Sequence, residues 1–237
     1  MKRYRWLRAK WPISMRVLAK RLKANGFDDG KTNGFVLDRV RDDFLEARFI
    51  ERVEYDDTIV DPFGKEISFH RIDYKQCEFR ATVDGPGLEL VNAPRVIQAT
   101  ISGLAEASEF GLAIGPLNLN VLAWAKGIQR LMNDGGIVDS VQIGAIELAP
   151  GITAKALIRG TTDVLAASNR FVDGKKHEIE KVQLKIPGSR RTTIILASNG
   201  TARIDSDAPS DTVVSIRAAL QELLRKSPGP MVLSISS

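Results

Sequence analysis

Met15, Leu18 and Leu22 recur at intervals of three and four residues, a spacing that lines up side chains along one side of an α-helix. Ser14 stands where a capping hydroxyl belongs and Gly26 where a left-handed terminator belongs, so a helix is predicted between them. Ahead of it, residues 2–11 (KRYRWLRAKW) alternate aromatic and charged side chains, which predicts a strand or an extended arm. Over residues 44–82 the period falls to two. Ala47, Phe49, Val53 and Tyr55 share one parity, and Asp61-Pro62-Phe63-Gly64 supplies a turn between two long runs, the pattern of a β-hairpin.

Pro94 then opens a predicted helix to about Ser108, with Val96, Ile97, Ile101 and Leu104 as its apolar stripe. A short apolar segment at 112–119 precedes another helical pattern at 121–132, stopped by Asn133-Asp134-Gly135-Gly136. The second half continues with runs at 137–148 and 152–159 joined by Pro150-Gly151, and a helix over 162–171. Runs at 178–186 and 191–197 follow, joined by Pro187-Gly188. Asn199-Gly200 lies between two apolar runs, the signal for a hairpin with a type I′ turn. A last helix is expected over 211–225, with Val214, Ile216, Leu220 and Leu223 or Leu224 inward. Ser227-Pro228-Gly229-Pro230 ends it, and 231–235 suits an edge strand.

Strands joined by tight turns favour an antiparallel sheet, so the expected class is α+β: hairpins forming the sheet, helices packed on one face. Asp84-Gly85 and Asn199-Gly200 are each followed eight residues later by Ala-Pro and a helix. This echo suits two pseudo-repeated β-β-α halves, although turn dipeptides and N1 prolines are also common punctuation. The expected division is 1–133 and 134–237, or one continuous domain.

Hydrophobic residues at 43% and charged residues at 27% are those of a globular protein, excluding disordered and fibrous classes. The single cysteine, Cys77, rules out an internal disulfide. Together with the lack of an apolar signal-peptide core, it points to a reducing cytoplasm. The longest uncharged stretch, 110–125, is broken by Gly111, Gly115 and Pro116 and is too short to span a bilayer. An Arg-rich, acid-free start is shared with organellar transit peptides, but those are Ser-rich and this segment has only Ser14.

Charge alters the picture most. The first 23 residues hold nine Lys or Arg and no acid, whereas the other 214 hold 25 bases against 29 acids. Tyr4, Trp6 and Trp11 are interleaved with Arg3, Arg5 and Arg8, and flat rings beside cations are what single-stranded nucleic acid uses for stacking and phosphate neutralisation. Arg16, Lys20 and Lys23 fall on a second helix face, beside Arg21. Large aromatics also pack into cores, leaving the bases solvated. Residues 38–66, with ten acids against five bases, are a partner at home for the basic stripe, and screening over about 8 Å limits what remains.

Motif tests are largely negative. Gly30-Lys31-Thr32 imitates the end of a P-loop, but Asn25 occupies the place of the required glycine. Gly85 and Gly87 lack the third glycine of a dinucleotide fingerprint. His70, His177 and Cys77 have no zinc spacing, so neither metal nor cofactor is expected. Asp61 with Asp73-x-Lys75 imitates a metal-dependent nuclease, provided the two carboxylates meet at one ion. Cross-strand charge pairing is the competing role.

The sequence-level expectation is a non-catalytic protein binding DNA or RNA with weak sequence preference, through Arg3, Tyr4, Arg5, Trp6, Arg8, Trp11, Arg16, Lys20, Arg21 and Lys23. The alternatives are an adaptor or structural subunit docking on a protein of complementary charge or by an exposed sheet edge, and a nuclease using Asp61, Asp73 and Lys75.

Overall fold

The computed structural model describes residues 1–132, 136–187 and 192–226. In chain order its elements are β1 (Lys2–Lys10), α1 (Met15–Ala24), β2 (Asn33–Val40), β3 (Phe44–Val60), β4 (Glu66–Thr82), β5 (Gly87–Val91), α2 (Gln98–Ala107) and β6 (Ala113–Gly115). Then come α3 (Val121–Leu131), β7 (Ile137–Ala149), β8 (Ile152–Arg159), α4 (Leu165–Phe171), β9 (His177–Ile186), β10 (Thr192–Ala197), β11 (Thr201–Ile204) and α5 (Ser210–Lys226). The class is α+β: an antiparallel sheet of eleven strands with five helices.

The chain forms two compact units. It passes between them after positions 9, 83, 89 and 112. The first unit comprises residues 1–9, 84–89 and 113–237. Its strands run β5-β1-β11-β10-β9-β7-β8, with β6 also on β1. On β1, Tyr4 and Trp6 share a parity and both are buried. Trp6 stacks on Tyr4 with ring centroids 5.8 Å apart and meets Trp124 of α3 edge-on at 5.5 Å. Gly127 of α3 lies against Ala219 of α5, where an added Cβ would sit 3.1 Å from the alanine methyl, and Trp124 Nε1 donates to the Ile216 carbonyl.

The second unit comprises residues 10–83 and 90–112, with strands β2-β3-β4 and helices α1 and α2. Ser14 Oγ caps α1 by accepting from Val17 N, and Met15, Leu18 and Leu22 are buried. The core gathers Phe35, Phe49 and Phe79, with ring centroids 5.1 Å apart for Phe35–Phe49 and 6.0 Å for Phe35–Phe79. Gly103 admits α2 onto them, since a Cβ there would stand 3.0 Å from Phe35 Cζ.

Several expectations are corrected. Helix α1 ends at Asn25, and Gly26 is not left-handed; it bridges Phe35 instead. Strand β2 carried no prediction. Helix α2 begins at Gln98, four residues past Pro94, and Val96 is 74% exposed ahead of it. Helix α4 begins at Leu165 because Asp163 Oδ1 ties up Leu165 N just before the first turn. The Asn199-Gly200 hairpin is not type I′: Ala197 pairs with Thr201, and only Gly200 has positive φ, the three-residue loop in which glycine forms the bulge. Helix α5 buries Thr212, Ile216, Ala219 and Leu220 and leaves Val214 exposed. The stops expected at 133–135 and 227–230, the Gly188 turn, Arg191 and the strand at 231–235 lie outside the described residues.

Candidate functional site

The basic segment is divided between the two units. On β1, alternation sends Tyr4 and Trp6 into the core, where the Trp6 indole N–H donates to Glu89 Oε2 at 2.8 Å. Neither ring is available to stack on a base, because a strand inside a sheet buries the larger side chains of one parity. Arg3, Arg5 and Arg8 are half-buried, Lys2 and Lys10 are exposed, and Trp11 is half-buried.

On α1 the cations split by partner. Arg16 forks onto Asp42 with Nη2 3.1 Å from Oδ2. That hydrogen bond, and then the charge of Asp42, raise the guanidinium's pKa above its usual value. Arg21 lies 2.7 Å from Glu109 and donates to the Ala107 carbonyl. Lys20 and Lys23 are exposed, with no carboxylate at ion-pair distance among the described residues. Asp42 belongs to the acidic segment 38–66, so part of the stripe is neutralised within the protein.

Strands β3 and β4 pair without a break for 17 residues, from Phe44↔Thr82 to Val60↔Glu66. Asp61 closes the turn: its Oδ1 accepts from Phe63 N at 2.8 Å and Lys65 N at 2.9 Å. Asp73 sits opposite Val53, seven positions from the end of the ladder, or roughly 23 Å at about 3.3 Å per residue. A metal ion needs its oxygens within about 2.6 Å, so Asp61 and Asp73 do not share one. Asp73 accepts from the Tyr55 hydroxyl at 3.2 Å, and Lys75 stands opposite Glu51. The described residues contain no cluster of three or more His, Cys, Asp or Glu arranged to hold a metal.

The other sequence motifs are structural. Lys31 Nζ donates to the Gly26 carbonyl at 2.8 Å and lies 3.4 Å from Asp28. Gly87 is required because a Cβ there would fall 2.0 Å from the Ala9 carbonyl oxygen. Cys77 is buried. His177 Nδ1 is 2.9 Å from the Lys175 carbonyl oxygen, and its ring borders a shallow cavity of about 570 Å³ with Asn118, Asn120 and Glu178. Asn120 there is committed to capping α3.

The distal hairpin is what the motif reading missed. Phe63 is 95% exposed, and Ile59, Val60, Ile67, Phe69 and Ile72 also face solvent. Acids surround them: His70 lies 3.0 Å from Asp56 and 3.4 Å from Glu54, and Arg71 reaches Asp57 at 3.7 Å. The available signal was length, since two 17-residue strands outrun any core that α1 and α2 can cover. No helix among the described residues is long and apolar enough to cross a membrane.

No protein-family model matches the chain, and no curated protein is detectably similar to it in sequence.

Proposed function

We propose that the protein is a non-catalytic subunit of a protein assembly and that it docks through the distal half of the β3–β4 hairpin. The observation that carries this reading is the exposed apolar set Ile59, Val60, Phe63, Ile67, Phe69 and Ile72 on a ribbon edged by carboxylates. By register Ile59, Ile67 and Phe69 share one face of the ribbon, Val60 and Ile72 lie on the other and Phe63 caps the turn; exposed apolar side chains among charged neighbours are characteristic of protein interaction sites. On this reading the rest of the molecule is the frame that holds the arm. The two Asx-Gly turns mark its pseudo-repeated β-β-α halves, with helices along one face. The test is affinity capture of the full chain from its own cells, comparing wild type with Ile59→Asp/Ile67→Asp. A stoichiometric protein partner held by wild type and lost by the variant is expected; equal capture by both sinks the assignment.

A second reading keeps the phosphate contacts and is favoured by the exposed ammonium groups of Lys20 and Lys23. It requires α1 to bind DNA or RNA without help from the buried Tyr4 and Trp6 rings. Anisotropy titration with Arg16, Lys20 and Lys23 changed to Glu decides it: unchanged nucleic-acid binding removes this reading.

A further inference from the structure

The partner's chemistry can be taken one step further, on the reading that the hairpin arm is a docking element. We propose that the arm's partner is a second copy of this chain, engaged by adding residues 53–60 of β3 to the edge strand β8 of that copy.

Among the described residues both edges lack a pairing strand, and they are equal in length. Strand β2 pairs with β3 only as far as Asn33↔Glu51, and Arg52 N donates to the Thr32 carbonyl at 2.7 Å. Beyond that point β4 is the only strand beside β3 among the described residues, which leaves residues 53–60 with one edge that no described strand pairs. Strand β8 ends the strand order, is eight residues long and contains no proline. Unpaired rows of this kind recruit strands from other chains. The other terminal strand, β2, is interrupted: Phe35 N donates to the Asn25 carbonyl at 3.0 Å, Phe27 N donates to the Phe35 carbonyl at 2.9 Å, and the ladder shifts between Leu37 and Arg39.

Charge selects which edges meet. Residues 53–73 hold six acids against two bases. On β8, Lys155 and Arg159 are exposed on one face with Leu157 between them, and Lys155 is only loosely held, 3.5 Å from Glu180. The unit that contains β8 has nineteen Lys or Arg against thirteen acids by sequence. Arm against arm sets carboxylates against carboxylates, and β8 against β8 sets cations against cations. Arm against β8 joins opposite charges and covers Ile59 and Leu157 together. The contact is heterologous, so it propagates into rings or chains rather than stopping at a dimer.

The test is sedimentation velocity on the full chain across protein concentrations, at low and high salt. Wild type is expected to grow beyond the dimer with concentration at low salt and to dissociate at high salt. Lys155→Glu/Arg159→Glu and Asp57→Lys, the latter on the face of the arm that carries Ile59, are each expected to stay monomeric alone and to reassociate when mixed, because each then supplies the charge the other lost. A wild type that stays monomeric at every concentration overturns the proposal, as does association that survives either variant. A different protein captured by wild type and lost by Ile59→Asp/Ile67→Asp also overturns the second copy while leaving the arm as a docking element. Capture unaffected by Ile59→Asp/Ile67→Asp, in chains that do not self-associate, sinks both.

Discussion

Arg217 of α5 forks onto Glu89 of β5, with Nε 2.7 Å from Oε2 and Nη2 2.6 Å from Oε1. Trp6 of β1 shares Oε2, so one carboxylate ties together two strands and a helix. The Glu89 side chain is 5% exposed and Arg217 32%, which makes the pair asymmetric: removing the arginine strands a buried anion. Arg217→Met is therefore expected to cost about 3 kcal/mol, read from the denaturation midpoint. Adding Glu89→Gln should recover much of that loss, because the second change removes the stranded charge. A double mutant as unstable as the sum of the two singles would show that the fork is not what the carboxylate needs.

Two glycines with nearly the same φ make different predictions. Gly87 has φ +90 and Gly64 has φ +85, so an alanine at either position meets a left-handed penalty of about 1–2 kcal/mol. Only at Gly87 does the new methyl also collide with backbone, 2.0 Å from the Ala9 carbonyl oxygen; at Gly64 nothing lies within 4 Å. Gly64→Ala is expected to lower stability by about 1 kcal/mol. Gly87→Ala should separate β5 from β1 and abolish cooperative unfolding in a circular-dichroism melt.

The contact between α3 and α5 carries a pH signature. Glu222 accepts from Lys226 at 2.6 Å and lies 3.4 Å from Arg130. The Lys226 hydrogen bond first, then the Arg130 charge, hold its carboxyl below the usual carboxylate range. A carboxylate depressed by folding contributes stability that is present above its unfolded pKa and lost as pH falls through its folded pKa. Carboxyl chemical-shift titration should place Glu222 below the usual glutamate range, and Lys226→Ala should move it upward. The pair is exposed, so its effect on the melting temperature at neutral pH is small.

Phe63 is the most exposed large apolar side chain in the described structure. It covers no core, so Phe63→Ser is expected to shift stability by less than about 0.5 kcal/mol while reducing retention on a hydrophobic-interaction column. A marked fall in melting temperature would mean that the tip packs onto the protein itself.

Local pattern revealed most of the secondary structure because the signals were local. Ser14 caps α1, period two runs through the long hairpin, and glycine at positions 151 and 200 has the positive φ its turn needs. Strand β2 was hidden because Asp38, Arg39 and the ladder shift at Leu37/Arg39 break its alternation. The site was less legible. Parity alone placed Tyr4 and Trp6 on one face of β1, but whether that face met solvent depended on Trp124, more than a hundred residues away. The exposure of Ile59 and Phe69 depended likewise on where the helices stop covering the sheet. A sequence reports an apolar residue, whereas the tertiary fold decides whether a neighbour reaches it.

On the reading that α1 binds nucleic acid, the same dependence sets how many of its cations can reach a phosphate. Asp42 holds the exposed Arg16 in a fork, leaving Lys20 and Lys23 as the cations of the stripe with no carboxylate at ion-pair distance among the described residues. Asp42→Asn removes one negative charge and frees the guanidinium, which adds about one phosphate contact. On a single-stranded oligonucleotide the logarithmic salt dependence of binding should then steepen by about 0.7, with tighter binding at low salt. Lys20→Glu/Lys23→Glu should reverse both changes. Anisotropy titrations at several salt concentrations provide the slope, and an Asp42→Asn slope identical to wild type would show that Arg16 never reaches a phosphate.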